Sequence, residues 1–236
     1  LPVLPLPLPQ VSVGKASLEN VSVIDLSQRF ALNQANGTVE KLAWQPGQWP
    51  TFEYQGKLGE LTDGLFQLTD MQGEGRLRDQ DWRLQLEGAA YAGQFNADLE
   101  GNRQPATLTI NDLQLNNMQP ELRPGWHEWL AAQPFQQIDL RRLDVSHFSL
   151  ISFDDSVPLT MKWLDLFLTD LRWTPQGLQN SSHKSRLEGS WLELVWQTLV
   201  SRKAEFQAEM ADNAVQLKQF TTQLEESALN ISGQWG

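Results

Sequence analysis

The chain has 236 residues, 40% of them apolar and 20% charged, with a formal net charge of −11. This length and apolar content suit one large domain or two small ones and exclude a disordered chain. The scattered cations exclude a basic nucleic-acid surface, no apolar run reaches the roughly 18 residues of a membrane-spanning helix, and the lack of cysteine excludes disulfides, thiolate metal sites and cysteine nucleophiles.

In chain order, residues 1–10 are an extended Leu/Pro lead-in, because proline has no N–H for a ladder and fixes its own φ. Residues 11–236 read as a single β domain in which short period-2 runs dominate. Trp82, Leu84 and Leu86 alternate with Arg83, Gln85 and Glu87; Phe95, Ala97 and Leu99 alternate with Asn96 and Asp98. Residues 106–110, 145–153 and 204–210 repeat the pattern, the last placing Phe206 opposite Glu205 and Gln207. Strict alternation is the mark of half-buried antiparallel strands. Turn-forming clusters at Gln34–Gly37, Gly73–Gly75, Asn102–Pro105, Asp154–Pro158 and Thr174–Gly177 predict the breaks of an all-β meander. One short helix is expected at about 125–132, where Trp126, Trp129 and Leu130 share a stripe and Pro134 follows; these three are candidate caps over one end of the sheet. Leu192, Val195, Trp196, Leu199 and Val200 fit a helix face, but Trp191–Trp196 also alternates as a strand, and its strand neighbours favour the strand. The chain starts at Leu1 and stops inside an alternating run, which reads as a piece of a longer protein.

A phrase recurs. Leu18-Glu-Asn-Val-Ser-Val23, Leu68-Thr-Asp-Met-Gln-Gly73, Ile110-Asn-Asp-Leu-Gln-Leu115 and Leu168-Thr-Asp-Leu-Arg-Trp173 all carry apolar groups at the first and fourth places. Looser copies start at Leu140 and Leu217. In a regular strand the first and fourth side chains point to opposite faces. A bulge at the Asp or Asn returns them to one face, and these residues tolerate the local backbone. An open sheet of about 15 to 18 strands must twist, curl or split. Curling with the apolar face inward gives a groove; a sandwich or a closed barrel buries the same face, and the pattern does not choose among them.

The chemistry of catalysis is sparse. His127, His147 and His183 are isolated, without metal-ligand spacing, and no P-loop, dinucleotide or nucleophile-elbow motif occurs. Asp144, Ser146 and His147 are neighbours in sequence, but alternation in a strand sends Ser146 and His147 to opposite faces, so they do not read as a triad. No catalytic, metal or cofactor residue is assigned.

The Leu-x-Asp/Asn-Leu-x-Leu phrases, the lead-in running into Val11–Ile24, the stretch from Ile110 to Trp173 and the close from Asn213 to Trp235 resemble the AsmA family of Gram-negative envelope proteins. The resemblance implies a periplasmic β-groove, tethered to the inner membrane by an anchor outside these residues, and a part in outer-membrane biogenesis and phospholipid movement. The expected protein is therefore non-enzymatic and all-β, a long curled sheet with one or two short helices that shields acyl chains. The groove candidates are Leu18, Val21, Val23, Leu84, Leu86, Phe95, Leu99, Ile110, Leu113, Leu115, Leu168, Leu171, Trp173 and Phe206. The competing expectation is an adaptor domain that binds another envelope protein through a sheet edge.

Overall fold

The computed structural model describes residues 10–25, 30–45, 48–63, 66–122, 135–153, 158–180, 184–211, 214–225 and 227–235. They form fifteen strands: β1 (Val11–Asp25), β2 (Phe30–Trp44), β3 (Thr51–Asp63), β4 (Phe66–Arg78), β5 (Asp81–Ala90), β6 (Gly93–Arg103), β7 (Ala106–Asn116), β8 (Glu121–Leu122), β9 (Gln137–Ser152), β10 (Leu159–Thr174), β11 (Gly177–Asn180), β12 (Ser185–Trp196), β13 (Leu199–Ala211), β14 (Ala214–Leu224) and β15 (Ser227–Trp235). No helix occurs among the described residues, and the expected helix, with Trp126, Trp129 and Leu130, lies outside them.

All fifteen strands belong to one sheet, ordered β1-β2-β3-β4-β5-β6-β7-β9-β10-β12-β13-β14-β15, with β8 and β11 as side pieces on β9 and β10. β1 and β15 stand at opposite ends of this path, so the sheet is open and curled rather than a closed barrel. The packed pairs are hydrogen-bonded neighbours in the sheet, as a single layer requires and a two-sheet sandwich does not. At about 4.8 Å per strand the path spans roughly 60 Å. The accessible surface, 15471 Å², exceeds the roughly 11,000 Å² of a compact chain of this mass.

Antiparallel hairpins link most neighbours. Tyr91 and Ala92 form a two-residue turn with φ of 50° and 65°, the left-handed pair whose twist matches that of the flanking strands. The meander breaks once: β7 and β9 run parallel. Asn117 turns the chain at φ 54°, and the following residues run alongside β9, with Ser149 N–H donating to Met118 O and β8 pairing Ile151 and Ser152. A parallel neighbour needs a crossover rather than a hairpin, and residues 117–136 are that connection.

Two of the expected turns are strand interior. Gln34–Gly37 lies inside β2 and Gly73–Gly75 inside β4. Gly37 pairs with Gly56, and Gly56 with Gly73, forming a glycine row across three strands. A Cβ at Gly37 would stand 2.8 Å from the Gln55 carbonyl oxygen, and one at Gly56 2.9 Å from that of Asn36. Glycine is required here because the strands bend toward each other on that face; the residues mark curvature rather than chain reversal.

The recurring phrase is a bulge. Asn20, Asp70 and Asp170 have φ of 50°, 51° and 57°, and the registers shift at Leu18/Val21 and at Thr69/Gln72. The β7 copy bulges at Asn111-Asp112 without a left-handed residue, shown by the shift between Asp98 and Leu99 in its partner. Three copies align across adjacent strands. Ile110 pairs with Leu140 and Leu140 with Leu171; Leu113 pairs with Leu143 and Leu143 with Leu168. Each strand thus bulges at the same height, and bulges add local twist and bend. A left-handed backbone is strained for a β-branched residue and free for glycine. Asp170→Val is therefore expected to lower unfolding stability by about 1–2 kcal/mol in chemical denaturation, while Asp170→Gly stays near the parent; equal losses would show that the bulge backbone is not what the position selects.

Candidate functional site: an apolar concave face

With the bulges counted, the registers give the long strands one mainly apolar side. On β1 it carries Val11, Val13, Ala16, Leu18, Val21 and Val23, opposite Trp44, Leu42, Val39, Gly37, Ala35 and Leu32 of β2. In mid-sheet Leu84 pairs with Leu99, Leu86 with Ala97 and Phe95 with Leu115. Farther on Leu166 pairs with Gly189, Gly189 with Phe206 and Phe206 with Phe220. All fourteen groove candidates fall on this side. Trp173, paired with Ile138, is at its rim and 40% exposed.

This side is the inside of the curl. In a single uncovered layer a large side chain keeps much of its surface, yet Leu77, Val145 and Leu168 are only 5–8% exposed. Elsewhere on this side, side chains of one strand lie over glycines of the next. Phe206 leans on Gly189, Trp82 on Gly101, Tyr54 on Gly75 and Leu86 on Gly73. Burial pushes the Tyr54 phenol pKa upward, as expected of a hydroxyl held on a dry face. The cover is partial. Among the described residues no large side chain is fully buried, and Leu18, Val23, Val215 and Ile231 on the same side are 39–54% exposed.

The outer side is mainly polar and laced with ion pairs, with Ile24, Ile151, Trp163 and Leu192 exposed among them. Glu53 accepts from Lys41 Nζ at 2.7 Å and Arg78 Nη2 at 3.0 Å. Glu193 bridges Lys162 and Arg202 at 2.7 and 3.1 Å. Arg83 meets Asp98 at 2.8 Å, and Arg172 meets Asp139 at 2.6 Å. Hydrogen bonds from the two cations hold the Glu53 and Glu193 carboxyls below the usual glutamate range; those of Asn33 and Gln67 do so for Glu60. Burial pushes Asp98 up, but its bonds to Arg83 and Gln85 and the Arg83 charge outweigh this and its pKa is lowered. Open clefts of about 790, 720 and 470 Å³ are lined mostly by residues of this side, along rows such as Thr38, Gln55, Glu74 and Gln85, with Leu18, Gly37 and Leu86 of the apolar side also lining the second. The apolar face is an open trough rather than an enclosed pocket.

The neighbours Ser146 and His147 require a correction. His147 has φ 52°, and two residues stand between Val145 and Phe148 of the apolar side, so strict alternation does not hold there. Ser146 Oγ donates to Asn116 Oδ1 at 2.6 Å, and the His147 ring lies edge-on to Trp163 at 6.2 Å. Among the described residues no hydrogen bond joins Ser146 to His147, and no group of three metal-ligating side chains occurs. Asp112 Oδ1 has no hydrogen bond, but its 3.5 Å approach to Arg142 Nε is an ion pair.

Sequence reasoning passed over the glycine row and the aromatic group Trp191–Phe206–Phe220 apart from Phe206. A signal existed for both: Gly73 and Gly75 are in step with Met71 and Leu77, and Trp191 is in step with Leu187 and Gly189. Comparison with protein-family models, with curated proteins and with solved structures finds no match for the chain.

The lowered carboxylates set a pH dependence. A depressed folded pKa adds stability that is present above the unfolded value and lost as pH falls through the folded one. The midpoint of thermal unfolding is therefore expected to drop as pH falls from about 5 to about 3. A Glu53→Gln, Glu193→Gln double variant should start lower at neutral pH and lose less in acid. An acid loss equal to the parent's would remove these ion pairs from the account.

Proposed function

We propose that the chain is a non-enzymatic periplasmic domain of an AsmA-like protein, tethered to the inner membrane through a segment outside these residues, that binds or conducts phospholipid acyl chains on its concave face in support of outer-membrane biogenesis. The observation that carries the reading is the mainly apolar side of the curled sheet, followed through the registers and left half-covered. Each CH₂ moved from water onto such a face contributes about 0.8 kcal/mol, so a partly held tail binds appreciably without any polar anchor. Headgroups stay in water at the rims. The Leu-x-Asp/Asn-Leu-x-Leu phrases, which build this face, are also the residues that carry the resemblance to the AsmA family.

A second reading is an adaptor that adds a partner's strand to a sheet edge. Extraction of the purified protein with organic solvent and mass spectrometry separates the two. Phospholipid is expected in the parent and in Glu87→Arg on the outer side. It should be lost from Leu171→Arg, because a guanidinium in the tail's path costs several kcal/mol to desolvate or displaces the tail. Circular dichroism checks that each variant is folded. Equal lipid in all three, or none in the parent, would overturn the acyl-chain reading and leave the edge.

A further inference from the structure

Among the described strands, Arg103 is the one lysine or arginine on the apolar side. It is in step with Phe95, Ala97, Leu99 and Gly101 and closes their row at the end of β6. The backbone around it is pinned. Arg103 N–H donates to the Gln80 carbonyl at 3.1 Å, and the Asn102 side chain bonds Asp81 and the Gln104 N–H, both at 2.7 Å. The guanidinium carbon lies over the Trp49 ring, 4.1 Å from its centre. Trp49 precedes β3 and Arg103 ends β6, so the pair reaches across the ends of β3, β4 and β5, roughly 14 Å of sheet. The rung just inside it is apolar: Phe52 pairs with Leu77, Leu77 with Trp82 and Trp82 with Gly101. Trp49 is 53% exposed, so water reaches the pair, while Arg103 itself is half-buried. A guanidinium stacked on a ring face keeps its N–H edges free for an acceptor. Among the described residues no carboxylate pairs with Arg103, and its side-chain partner is the Trp49 ring.

We infer that Arg103, held on Trp49, is an anion site at this rim that takes the phosphate of a lipid whose tail lies on the apolar side. The inference rests on the acyl-chain reading above and adds the headgroup class and the place where the headgroup sits. Arginine suits the task, because two of its N–H groups can donate to two phosphate oxygens at once. From Arg103 the apolar row runs inward through Gly101, Leu99, Ala97 and Phe95, so a phosphate bound here starts its tail on two of the groove candidates. A tie between strand ends would need only the stack; the unpaired N–H edges on an otherwise apolar row are what point to a ligand.

The test compares two ligands with the same tail, a lysophosphatidic acid and the corresponding monoacylglycerol, each below its micelle-forming concentration, with inorganic phosphate as a third arm. Binding to the purified protein is read by calorimetry. The parent is expected to hold the phosphate-bearing ligand about tenfold tighter than the uncharged one, the worth of one hydrogen bond to a charged group. Arg103→Gln should remove that preference and leave monoacylglycerol binding unchanged. Arg103→Met, which keeps apolar length on the ring, is the second variant should Arg103→Gln not fold. Lys203→Gln, a loss of the same charge on the outer side, should keep the preference. Equal affinity of the parent for the two tailed ligands would overturn the anion site while keeping the acyl-chain reading. Failure to bind either of them would overturn that reading and the headgroup site with it. Inorganic phosphate bound as tightly as the lysophosphatidic acid would overturn the lipid source and make free phosphate the ligand. A preference unchanged in the folded Arg103 variants would overturn the part assigned to Arg103.

Discussion

A β-sheet with one apolar side must place that side against something. The usual solutions are a second sheet, a layer of helices or closure into a barrel. The described residues of this chain use none of them. Within the described residues, side chains of one strand lie over glycine positions of the next on this side. Burial there is uneven: Leu77, Val145 and Leu168 are nearly buried, and Leu18 and Val23 are half open. The rest of the architecture follows from this constraint, because any irregularity that sent apolar side chains outward, or flattened the bend, would expose the whole face.

The bulges are what keep the constraint satisfied over long strands. β9 and β10 each have 16 residues, far longer than an untwisted strand can run in a strongly curled sheet without losing its partners. Aligned bulges at Ile110–Leu113, Leu140–Leu143 and Leu168–Leu171 let three neighbours turn together, so their ladders survive the bend. A second set at His147 and Trp163, both with left-handed φ, does the same farther along β9 and β10. Because each bulge inserts two residues between successive apolar positions, the outer side receives both at that height: charged pairs at some bulges, and Trp163 and Leu192 beside Lys162 and Glu193 at another. Arg142 and Asp112 meet there, as do Lys162 and Glu193 beside Trp163.

The fold was readable in the sequence to the extent that it is periodic. Alternation in 82–88, 93–101 and 204–210 identified strands and the side each residue occupies, and the phrase with Asp or Asn at its third place identified the bulges, since a first and a fourth apolar residue share a side only there. What misled was glycine. Gly73 and Gly75 look like a turn when read as composition, yet they are floor positions between Met71 and Leu77, and only the distance to the neighbouring strand distinguishes the two uses. The parallel junction of β7 and β9 was illegible for another reason: strand pairing is a non-local property, and nothing within 106–116 or 137–152 records whether the chain returns by a hairpin or by a crossover. Ser146 and His147 do not alternate, because the left-handed backbone at His147 suspends the two-residue period there.

The same geometry shapes what binding on this face would be like. A trough lined by Leu, Val, Phe and Ala across about 60 Å offers many weak, similar contacts and no single directional one. Affinity would then be spread over the whole length, and selectivity would have to come from the rims rather than from the trough itself. Charge supports this division. The excess of acids stays on the outer side, where ion pairs with Lys41, Arg78, Lys162 and Arg202 fix part of it, and the concave side is left to apolar and small residues. Polar groups that do enter the concave side, Ser201 and Thr222, are buried and fully satisfied by Trp191 and the Arg202 carbonyl. They hold the Trp191 ring in place.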